Sequence, residues 1–366
     1  MDPRPWIALN NVLGVGKVLY KRLITRFGGP EEVFGTTEDE LLTVDGIRPP
    51  VAKAIKAADG RGWADEETAR AESRGVRIVT FGDKEYPEHL RQVHDPPPYL
   101  YVNGALRPDD KVAVAIVGSR LATTYGRHMT RRIARELASK GITVVSGGAR
   151  GIDTEAHRGA LSAKGRTVAV LGCGIDVTYP LENEELFGLI AESGAVVSEY
   201  PMGTPPEHMN FPPRNRIISG MSMGVVVVEA TGDSGSLITA SYSLEQGREV
   251  YAVPGNVVSP NSHGVNSLIK RGAKLVEGAQ DVLTDLFPHL KGYLNDLVPA
   301  GLAAPAFEMA PDERALFDCI SLDPQHVDVL ATQSGVNISR VLTLLLGLEM
   351  KGAVRQIGGM RYVREL

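Results

Sequence analysis

The chain has 366 residues, 43% of them hydrophobic, and a formal net charge of −5 at pH 7. This length excludes a single ordinary domain and indicates two or three domains with sizeable cores. The charge excludes a uniformly basic nucleic-acid-binding surface, although local clusters of arginine and backbone amides still bind phosphate. The chain opens without a signal-peptide pattern and has no apolar run of about 20 residues, so we expect a cytoplasmic protein without membrane contact.

Two short glycine turns in the first 60 residues each precede an amphipathic helix. One is Leu13-Gly14-Val15-Gly16 and the other is Val44-Asp45-Gly46-Ile47. A hydrophobic–glycine turn that opens a helix is the helix-hairpin-helix pattern, in which amides of the turn can contact a DNA phosphate. Such small helical modules also serve as protein contacts, and the sequence leaves both roles open.

A rigid connecting segment is predicted between this module and the central part of the chain. A helix around Ala64–Arg74 leads to a strand at Val76–Phe81, and a proline-rich run then leads to a second strand at Tyr99–Val102. Proline fixes the backbone and removes a hydrogen-bond donor, so we expect the segment to pack at the edge of a sheet. The second strand is expected to extend that sheet.

The stretch from Val112 to Gly255 alternates short apolar strands with helices, which is the α/β pattern of a parallel sheet. Several of its strands end in turns rich in glycine and serine. These turns are Gly118-Ser119-Arg120, Ser146-Gly147-Gly148-Ala149-Arg150-Gly151, Gly172-Cys173-Gly174 and the loop with Ser234-Gly235-Ser236. Ligands bind at this edge of α/β sheets, where small residues let an anion approach backbone amides and helix N-termini. The sequence predicts a phosphate-binding edge.

Arginines follow the first of these turns. The next helix carries Arg127, Arg131, Arg132 and Arg135, for which a solvated helix face and a phosphate-binding face are equally good interpretations. Arg120 differs because it lies in the turn itself. A guanidinium group there can hold a phosphate with two parallel hydrogen bonds.

The tail, from Asp312 to Leu366, has the pattern of three helices followed by two short strands, which is a winged helix. Its third helix, around Ser339–Lys351, is apolar and almost uncharged, whereas a helix that reads a DNA groove needs polar and basic groups. We therefore expect a protein contact or a structural role for this domain. The expected segments are a helical module at 1–62, a sheet domain at 63–287, a linker at 288–311 and a winged-helix domain at 312–366.

The ordered set of motifs resembles the DNA-processing protein A family, also called DprA or Smf. The most diagnostic run is Phe211-Pro212-Pro213-Arg214-Asn215-Arg216-Ile217-Ile218. The other matching motifs are Tyr86-Pro87, Asp95-Pro96-Pro97, Val117-Gly118-Ser119-Arg120, Ser146-Gly147, Gly151-Ile152-Asp153, Ala156-His157, Tyr179-Pro180, Asn183, Ser198-Glu199, Val228-Glu229-Ala230, Ser234 to Ala240 and Val253-Pro254-Gly255. They occur in the expected order over residues 80 to 285.

The resemblance implies an extended Rossmann-like sheet domain between a helix-hairpin-helix or SAM-like module and a winged-helix module. It further implies a homodimer that binds single-stranded DNA and loads the RecA recombinase during natural transformation, without chemistry on the DNA. The implied DNA-binding residues are Gly118, Ser119, Arg120, Ser146, Gly147, Gly148, Arg150, Gly151, Arg214, Asn215, Arg216, Ser234, Gly235 and Ser236. The implied dimer interface includes Leu268, Ile269 and Leu275, for which ordinary core packing is the alternative.

The residue types leave the roles of the two helix arginines open. One of Arg214 and Arg216 is expected to contact a phosphate and the other to clamp loop carbonyls, and the sequence leaves open which is which. Asn215 is expected to tie two loops together through its amide, and Ser234 is expected to cap a helix. After Tyr179-Pro180 the chain has Leu181-Glu182 where the family often has a lysine, so a positive contact is expected to be missing there and the affinity or the path of the strand to differ.

An enzyme that processes nucleotides is the alternative function. A related Rossmann-like group cleaves nucleoside monophosphates with a Gly-Gly-x-Gly-Thr loop and a nearby glutamate, but here the loop reads Thr231-Gly232-Asp233-Ser234-Gly235-Ser236. Asp153 and His157 are better explained as structural groups than as a catalytic pair, and Glu229 as a residue that orients loop amides. Cys173 and Cys319 form no metal or redox spacing. We expect no catalytic residue, no cofactor and no metal.

Overall fold

The computed structural model describes residues 1–58, 61–286, 310–321, 325–351, 353–357 and 359–364. The chain divides into two compact units, Met1–Tyr293 and Leu294–Leu366. The predicted linker at 288–311 lies almost entirely outside the described residues, and the three boundaries between the four predicted segments remain predictions.

The first unit begins with a helical module built on two equivalent glycine turns. Its helices are α1 (Arg4–Asn10), α2 (Lys17–Phe27), α3 (Pro30–Gly35), α4 (Glu38–Leu42), α5 (Pro49–Ala57) and α6 (Arg61–Glu72). Gly14 and Gly46 both have positive φ, 91° and 94°. A β-carbon at Gly14 would lie 2.9 Å from Val51 in α5, and one at Gly46 would lie 3.9 Å from Leu19 in α2. The two predicted hairpins therefore pack reciprocally, each turn against the other hairpin's helix.

A nine-stranded sheet forms the centre of the first unit. Its strands are β1 (Arg77–Thr80), β2 (Tyr99–Gly104), β3 (Ala113–Val117), β4 (Thr143–Ser146), β5 (Thr167–Leu171), β6 (Ala195–Ser198), β7 (Gly224–Val227), β8 (Glu249–Ala252) and β9 (Lys274–Leu275). The spatial order is β1-β2-β6-β5-β4-β3-β7-β8-β9. Strands β3 to β9 run parallel, while β2 pairs antiparallel with both β1 and β6. The strand at Tyr99 thus extends the sheet, as predicted.

Helices cover both faces of this sheet. They are α7 (Glu88–Gln92), α8 (Thr124–Ser139), α9 (Ile152–Ser162), α10 (Glu184–Ser193), α11 (Phe211–Gly220), α12 (Gly235–Glu245) and α13 (Pro260–Lys270), with a further helical stretch at 279–286. The strands of the sheet centre are short runs of valine, isoleucine and alanine that are buried on both faces, as a parallel sheet requires. The α/β prediction is confirmed.

The order of the strands creates a switch point beside β3. The chain moves from β3 through β4 and β5 to β6 in one direction, and then returns to place β7 and β8 on the other side of β3. The turns that follow β3 and β7 consequently diverge and leave a crevice at the carboxyl edge. Open α/β sheets bind ligands at such a point.

The second unit has its own small core. It contains α14 (Pro311–Cys319), α15 (Val327–Ser334), α16 (Ile338–Met350) and the strands β10 (Gln325–His326), β11 (Val354–Ile357) and β12 (Arg361–Arg364), paired in the order β10-β12-β11. The core is formed by buried residues such as Leu330, Val341, Leu345 and Leu348. Three helices and a small antiparallel sheet confirm the predicted winged helix. The short strand β10 was not predicted.

Within the described ranges, no single helix is long and apolar enough to cross a bilayer. Val327–Ser334 and Ile338–Glu349 have sufficient length and apolar composition only when counted together, and the chain bends by 106° between them.

Candidate nucleic-acid interface

A pocket of about 330 Å³ occupies the switch point between β3 and β7. It is bounded by the turn after β3, the turn before α9, the start of α11 and the loop before α12. Eight of the predicted DNA-binding residues line it: Gly118, Ser119, Arg120, Arg214, Asn215, Ser234, Gly235 and Ser236. The remaining six, Ser146, Gly147, Gly148, Arg150, Gly151 and Arg216, are not among its lining residues. The structure therefore brings together the turns that the sequence placed at one edge.

The turn after β3 is held in place by Glu229. The Glu229 carboxylate accepts hydrogen bonds from the Thr123 amide at 2.9 Å and the Thr123 hydroxyl at 2.5 Å. The Glu229 backbone carbonyl accepts a bond from the Ser119 amide at 2.7 Å. A β-carbon at Gly118 would lie 2.9 Å from this carbonyl, so glycine permits the close approach. The Glu229 side chain thus orients the amides of this turn, as predicted.

Arg120 projects from this turn and is exposed. Its guanidinium carbon lies 4.9 Å from the centroid of the Phe211 ring, a cation–π contact. Among the described residues, no carboxylate lies within ion-pair distance of Arg120. Its N–H groups are therefore available to an anion that enters the pocket. Arg120 is the cation that this geometry offers most directly to a ligand.

Phe211 belongs to a small aromatic cluster beside the pocket. Its ring centroid lies 5.9 Å from that of Tyr179 and 6.3 Å from that of His208. The ring is partly exposed, and the guanidinium groups of Arg120 and Arg214 both lie near it. Phe211 is not among the predicted DNA-binding residues. Its position as the first residue of the diagnostic run Phe211 to Ile218 is the sequence signal that points to it.

Arg214 lies beneath the pocket and clamps the sheet edge. Its side chain donates to the carbonyls of Gly147 at 2.6 Å and Val170 at 2.5 Å. A β-carbon at Gly147 would lie 2.6 Å from the Asp153 carboxylate and 2.9 Å from the Arg214 guanidinium, so no larger residue fits between them. Burial lowers the pKa of Arg214 and raises that of Asp153, and the attraction between the two charges opposes both shifts. Of the two helix arginines, Arg214 is therefore the one that clamps loop carbonyls.

Arg216 faces away from the pocket into a buried charge network. Its guanidinium contacts Glu199 at 2.6 Å and Asp95 at 3.0 Å, and its side chain is 2% exposed. Lys17 of α2 also forms an ion pair with Glu199. Burial lowers the pKa of Lys17, while the Glu199 charge acts in the opposite direction. The network ties the helical module and α11 to the sheet, a structural role for Arg216.

The turn between β4 and α9 supports the Arg120 turn from below. Ser146 is buried and donates its hydroxyl to the Ile116 carbonyl at 2.7 Å. A β-carbon at Gly148 would lie 2.7 Å from the Phe187 ring, and one at Gly151 would lie 2.4 Å from the Ser119 carbonyl. Arg150 is exposed but forms an ion pair with Glu182. Packing, rather than ligand contact, explains the glycines of this turn.

The start of α12 forms the opposite wall of the pocket. Ser234 caps the helix and accepts a bond from the Ser236 amide at 3.3 Å, which confirms the predicted cap. The Asn215 amide donates to the Gly235 carbonyl at 3.2 Å and thereby ties α11 to α12, as predicted. Space is open where a side chain at Gly235 would stand. The helix N-terminus adds a favourable potential for an anion at this wall.

His157 is fully buried beneath the turn before α9. Its Nδ1 lies 2.7 Å from the Thr167 hydroxyl, and burial, with a smaller contribution from Arg214, lowers its pKa to about 3. A histidine that stays neutral and enclosed in this way fits a structural role. Among the described residues, no group of three or more histidine, cysteine, aspartate or glutamate side chains is arranged to hold a metal ion.

The residues predicted for the dimer interface differ in exposure. Leu268 is buried in the core of the sheet domain, and Ile269 packs against that core. Leu275 lies on the edge strand β9 with 50% of its surface exposed. Leu275 is therefore the most exposed of the three residues.

Comparisons with known proteins agree with this architecture. Residues 77–287 match the family model of DNA recombination-mediator protein A, and residues 300–360 match the model of the DprA winged helix domain. Protein Smf of Synechocystis is 35% identical over 389 residues, an alignment that covers 98% of each chain. DNA processing protein DprA of Bacillus subtilis is 42% identical over 214 residues, which are 58% of this chain and 72% of that protein.

Two solved structures share the fold. DNA processing protein A of Streptococcus pneumoniae superposes with a TM-score of 0.67 at 34% identity and covers 76% of this chain and 95% of its own. The protein from Helicobacter pylori, described for its single-stranded DNA binding mode, gives a TM-score of 0.53 at 30% identity over 58% of this chain and 96% of its own. Because one family model matches more than half of the chain, and a relative at 35% identity spans nearly all of it, the chain belongs to the DNA recombination-mediator protein A family, which includes proteins named DprA and Smf.

Proposed function

We propose that this protein binds single-stranded DNA in the pocket between β3 and β7, with Arg120 as the principal phosphate contact. The observation that carries the proposal is the exposed Arg120 guanidinium on the Phe211 ring, at the switch point of the sheet. Family membership and the single-stranded DNA binding of the Helicobacter pylori relative support the choice of ligand.

The pocket combines the two features that a sequence-tolerant binder needs. Arg120 and the N-terminus of α12 offer positive potential to a phosphate, which every nucleotide carries. When Arg120 turns to a phosphate, it uncovers the face of the Phe211 ring, on which any base can stack. Neither contact depends on the donors and acceptors that distinguish one base from another, so binding should tolerate sequence changes.

We propose a role without chemistry on the DNA. Two carboxylates beside the pocket have structural partners, since Asp153 accepts from the Ala149 amide and Glu229 accepts from Thr123. Both are thereby occupied in holding turns. Incubation of the purified protein with a labelled oligonucleotide should leave the strand intact. Release of free base from a nucleoside monophosphate would instead support the nucleotide-processing alternative.

Within recombination, we propose that the protein protects incoming DNA and loads the RecA recombinase during natural transformation, as a homodimer. Membership in the recombination-mediator family supports the role, and the exposed Leu275 on edge strand β9 supports this edge as the contact between copies. A charged residue at Leu275 should shift the protein to monomers in light scattering. A dimer of unchanged stability in the Leu275→Glu variant would place the contact elsewhere.

The test of DNA binding is the affinity of the Arg120→Ala variant for an oligothymidine, measured by fluorescence anisotropy at several salt concentrations. Loss of one phosphate contact should weaken binding and lower the slope of log K against log salt by roughly 0.7. Arg107→Ala removes the same charge from an exposed site before β3, at the opposite edge of the sheet, and serves as the control. Equal affinities and slopes for Arg120→Ala and wild type would contradict the site.

A further inference from the structure

Arginines continue from the pocket along the outer surface of α8 and α9. Arg127, Arg131 and Arg135 recur every four residues on α8 and are exposed, as is Arg158 on α9. Residues four apart on a helix share one face, so the three α8 arginines form a row. We call these four residues the basic strip. Arg132 does not belong to it, because it lies outside this four-residue spacing, on a face of α8 where it contacts Glu136 and the Glu277 carbonyl.

The basic strip has more positive than negative charge. The carboxylate that its arginines share is Glu155, which is buried and forms an ion pair with Arg131 at 2.6 Å. Arg158 approaches the same carboxylate at 3.8 Å. Two arginines therefore share one negative charge, and Arg135 has no ion pair with any described residue. A surface with this excess of cations attracts a polyanion.

The strip is continuous with the pocket. The Arg127 side chain donates to the Ala122 carbonyl at 3.2 Å, in the same turn that carries Arg120. Helix α8 then runs about 24 Å away from the carboxyl edge, from its 16 residues at about 1.5 Å each. Helix α9 packs closely beside it, since a β-carbon at Gly159 would lie 2.6 Å from the Arg131 carbonyl. A strand that leaves Arg120 has a direct route along these two helices.

The other side of α9 has the opposite charge. The start of α10 and the turn before it carry Glu182, Glu184 and Glu185, all of them exposed. The ion pair with Glu182 also neutralises Arg150, which would otherwise offer a cation there. A phosphate backbone that leaves the pocket is repelled on the α10 side and attracted on the α8 side. The charge distribution therefore favours one of the two routes.

We propose that the basic strip is an extension of the binding site, which holds the phosphates of single-stranded DNA beyond the nucleotides seated in the pocket. This inference rests on the proposed function of the pocket. Arg127 and Arg131 also have structural contacts, so Arg135 and Arg158 are the members whose charge is most available to the strand. Their contacts with DNA are to phosphate and carry no sequence preference.

The test compares a short and a long ligand. Wild type and the double variant Arg135→Gln/Arg158→Gln are titrated with oligothymidines of about 6 and about 30 nucleotides, the shorter one sized for a single binding module. The variant should bind the short strand as wild type does and the long strand more weakly. For the long strand, its slope of log K against log salt should fall by roughly 1.4, or about 0.7 for each lost contact.

Two control variants identify the cause. Arg107→Gln/Lys84→Gln removes the same two charges from exposed positions outside the strip and should bind both strands as wild type does. Arg135→Lys/Arg158→Lys retains the charge and should retain binding of the long strand. The proposal is overturned if the strip variant binds the long strand like wild type, weakens no more than the Arg107/Lys84 control, or weakens equally on both lengths. A wrong assignment of the pocket gives a different result. In that case Arg120→Ala would bind the short strand as tightly as wild type does.

Discussion

The turn after β3 and the first half of α11 both carry arginines, but the two places use them differently. Arg120 is exposed and rests on an aromatic ring, without an ion pair among the described residues. Arg214 and Arg216 are buried and are held by carbonyls and carboxylates of the protein. One place presents its charge to a ligand, and the other uses its charges to hold the fold.

The difference follows from what surrounds each side chain. A buried guanidinium has lost its water and is stable only when internal acceptors replace it, so its hydrogen bonds are already committed. An exposed guanidinium keeps its donors for exchange between water and a phosphate. Substitutions at Arg214 and Arg216 should therefore act first on stability, and substitutions at Arg120 should act first on binding.

The largest expected effect is on folding. Arg216→Met leaves Asp95 without this guanidinium and Glu199 with Lys17 alone, so the free energy of unfolding should fall by about 3 kcal/mol. Arg120→Met should change it by less than about 0.5 kcal/mol, as expected for an exposed site. Urea unfolding of the two variants measures both values. Equal losses of unfolding free energy in the two variants would contradict the distinction between a structural Arg216 and a ligand-binding Arg120.

Two glycines near the pocket are expected to respond differently to substitution by alanine. Gly151 has a φ of 75°, and a β-carbon there would lie 2.4 Å from the Ser119 carbonyl. Gly151→Ala should cost about 1–3 kcal/mol of stability and should displace the Arg120 turn, which weakens DNA binding. Gly235→Ala meets open space and should fold like wild type. Thermal unfolding and oligothymidine titration of both variants provide the measurement, and a tolerated Gly151→Ala would show that this turn has more freedom than its contacts indicate.

A substitution at Phe211 tests the exposed site around Arg120. Phe211→Leu keeps an apolar side chain but removes the ring on which Arg120 rests and a base can stack. The variant should lose about 1–3 kcal/mol of binding free energy for single-stranded DNA. Tyr125→Leu, which alters another aromatic residue at the same edge but not among the pocket-lining residues, is the matched control. Similar losses in both variants would point to general aromatic contact rather than to the pocket.

The last prediction is a pH dependence of stability that arises from the buried His157. The pKa of His157 falls from 6.5 to about 3 on folding, mainly through burial and partly through Arg214. The unfolded chain then binds more protons between these values, so stability should fall as the pH drops from about 6.5 towards about 3. His157→Gln should make this decline shallower, by at most about 1.4 kcal/mol per pH unit. Parallel curves of unfolding free energy against pH for wild type and variant would contradict the buried, neutral state of His157.

Much of this arrangement was predictable from local pattern. Short apolar strands that end in glycine and serine predicted the carboxyl edge, and the residue types predicted the cap at Ser234 and the amide bridge from Asn215. The different fates of Arg120, Arg214 and Arg216 were not predictable, because burial depends on which distant segments pack over α11. Asp95, which holds Arg216 together with Glu199, lies far from it in sequence. For the same reason, the core position of Leu268 required the folded chain.

The most direct test of the central claim is the structure of the protein bound to a short oligothymidine. We predict a phosphate within hydrogen-bond distance of the Arg120 guanidinium, a base against the Phe211 ring, and Arg214 still bonded to the carbonyls of Gly147 and Val170. A strand bound on another surface, with Arg120 directed to solvent, would contradict the account.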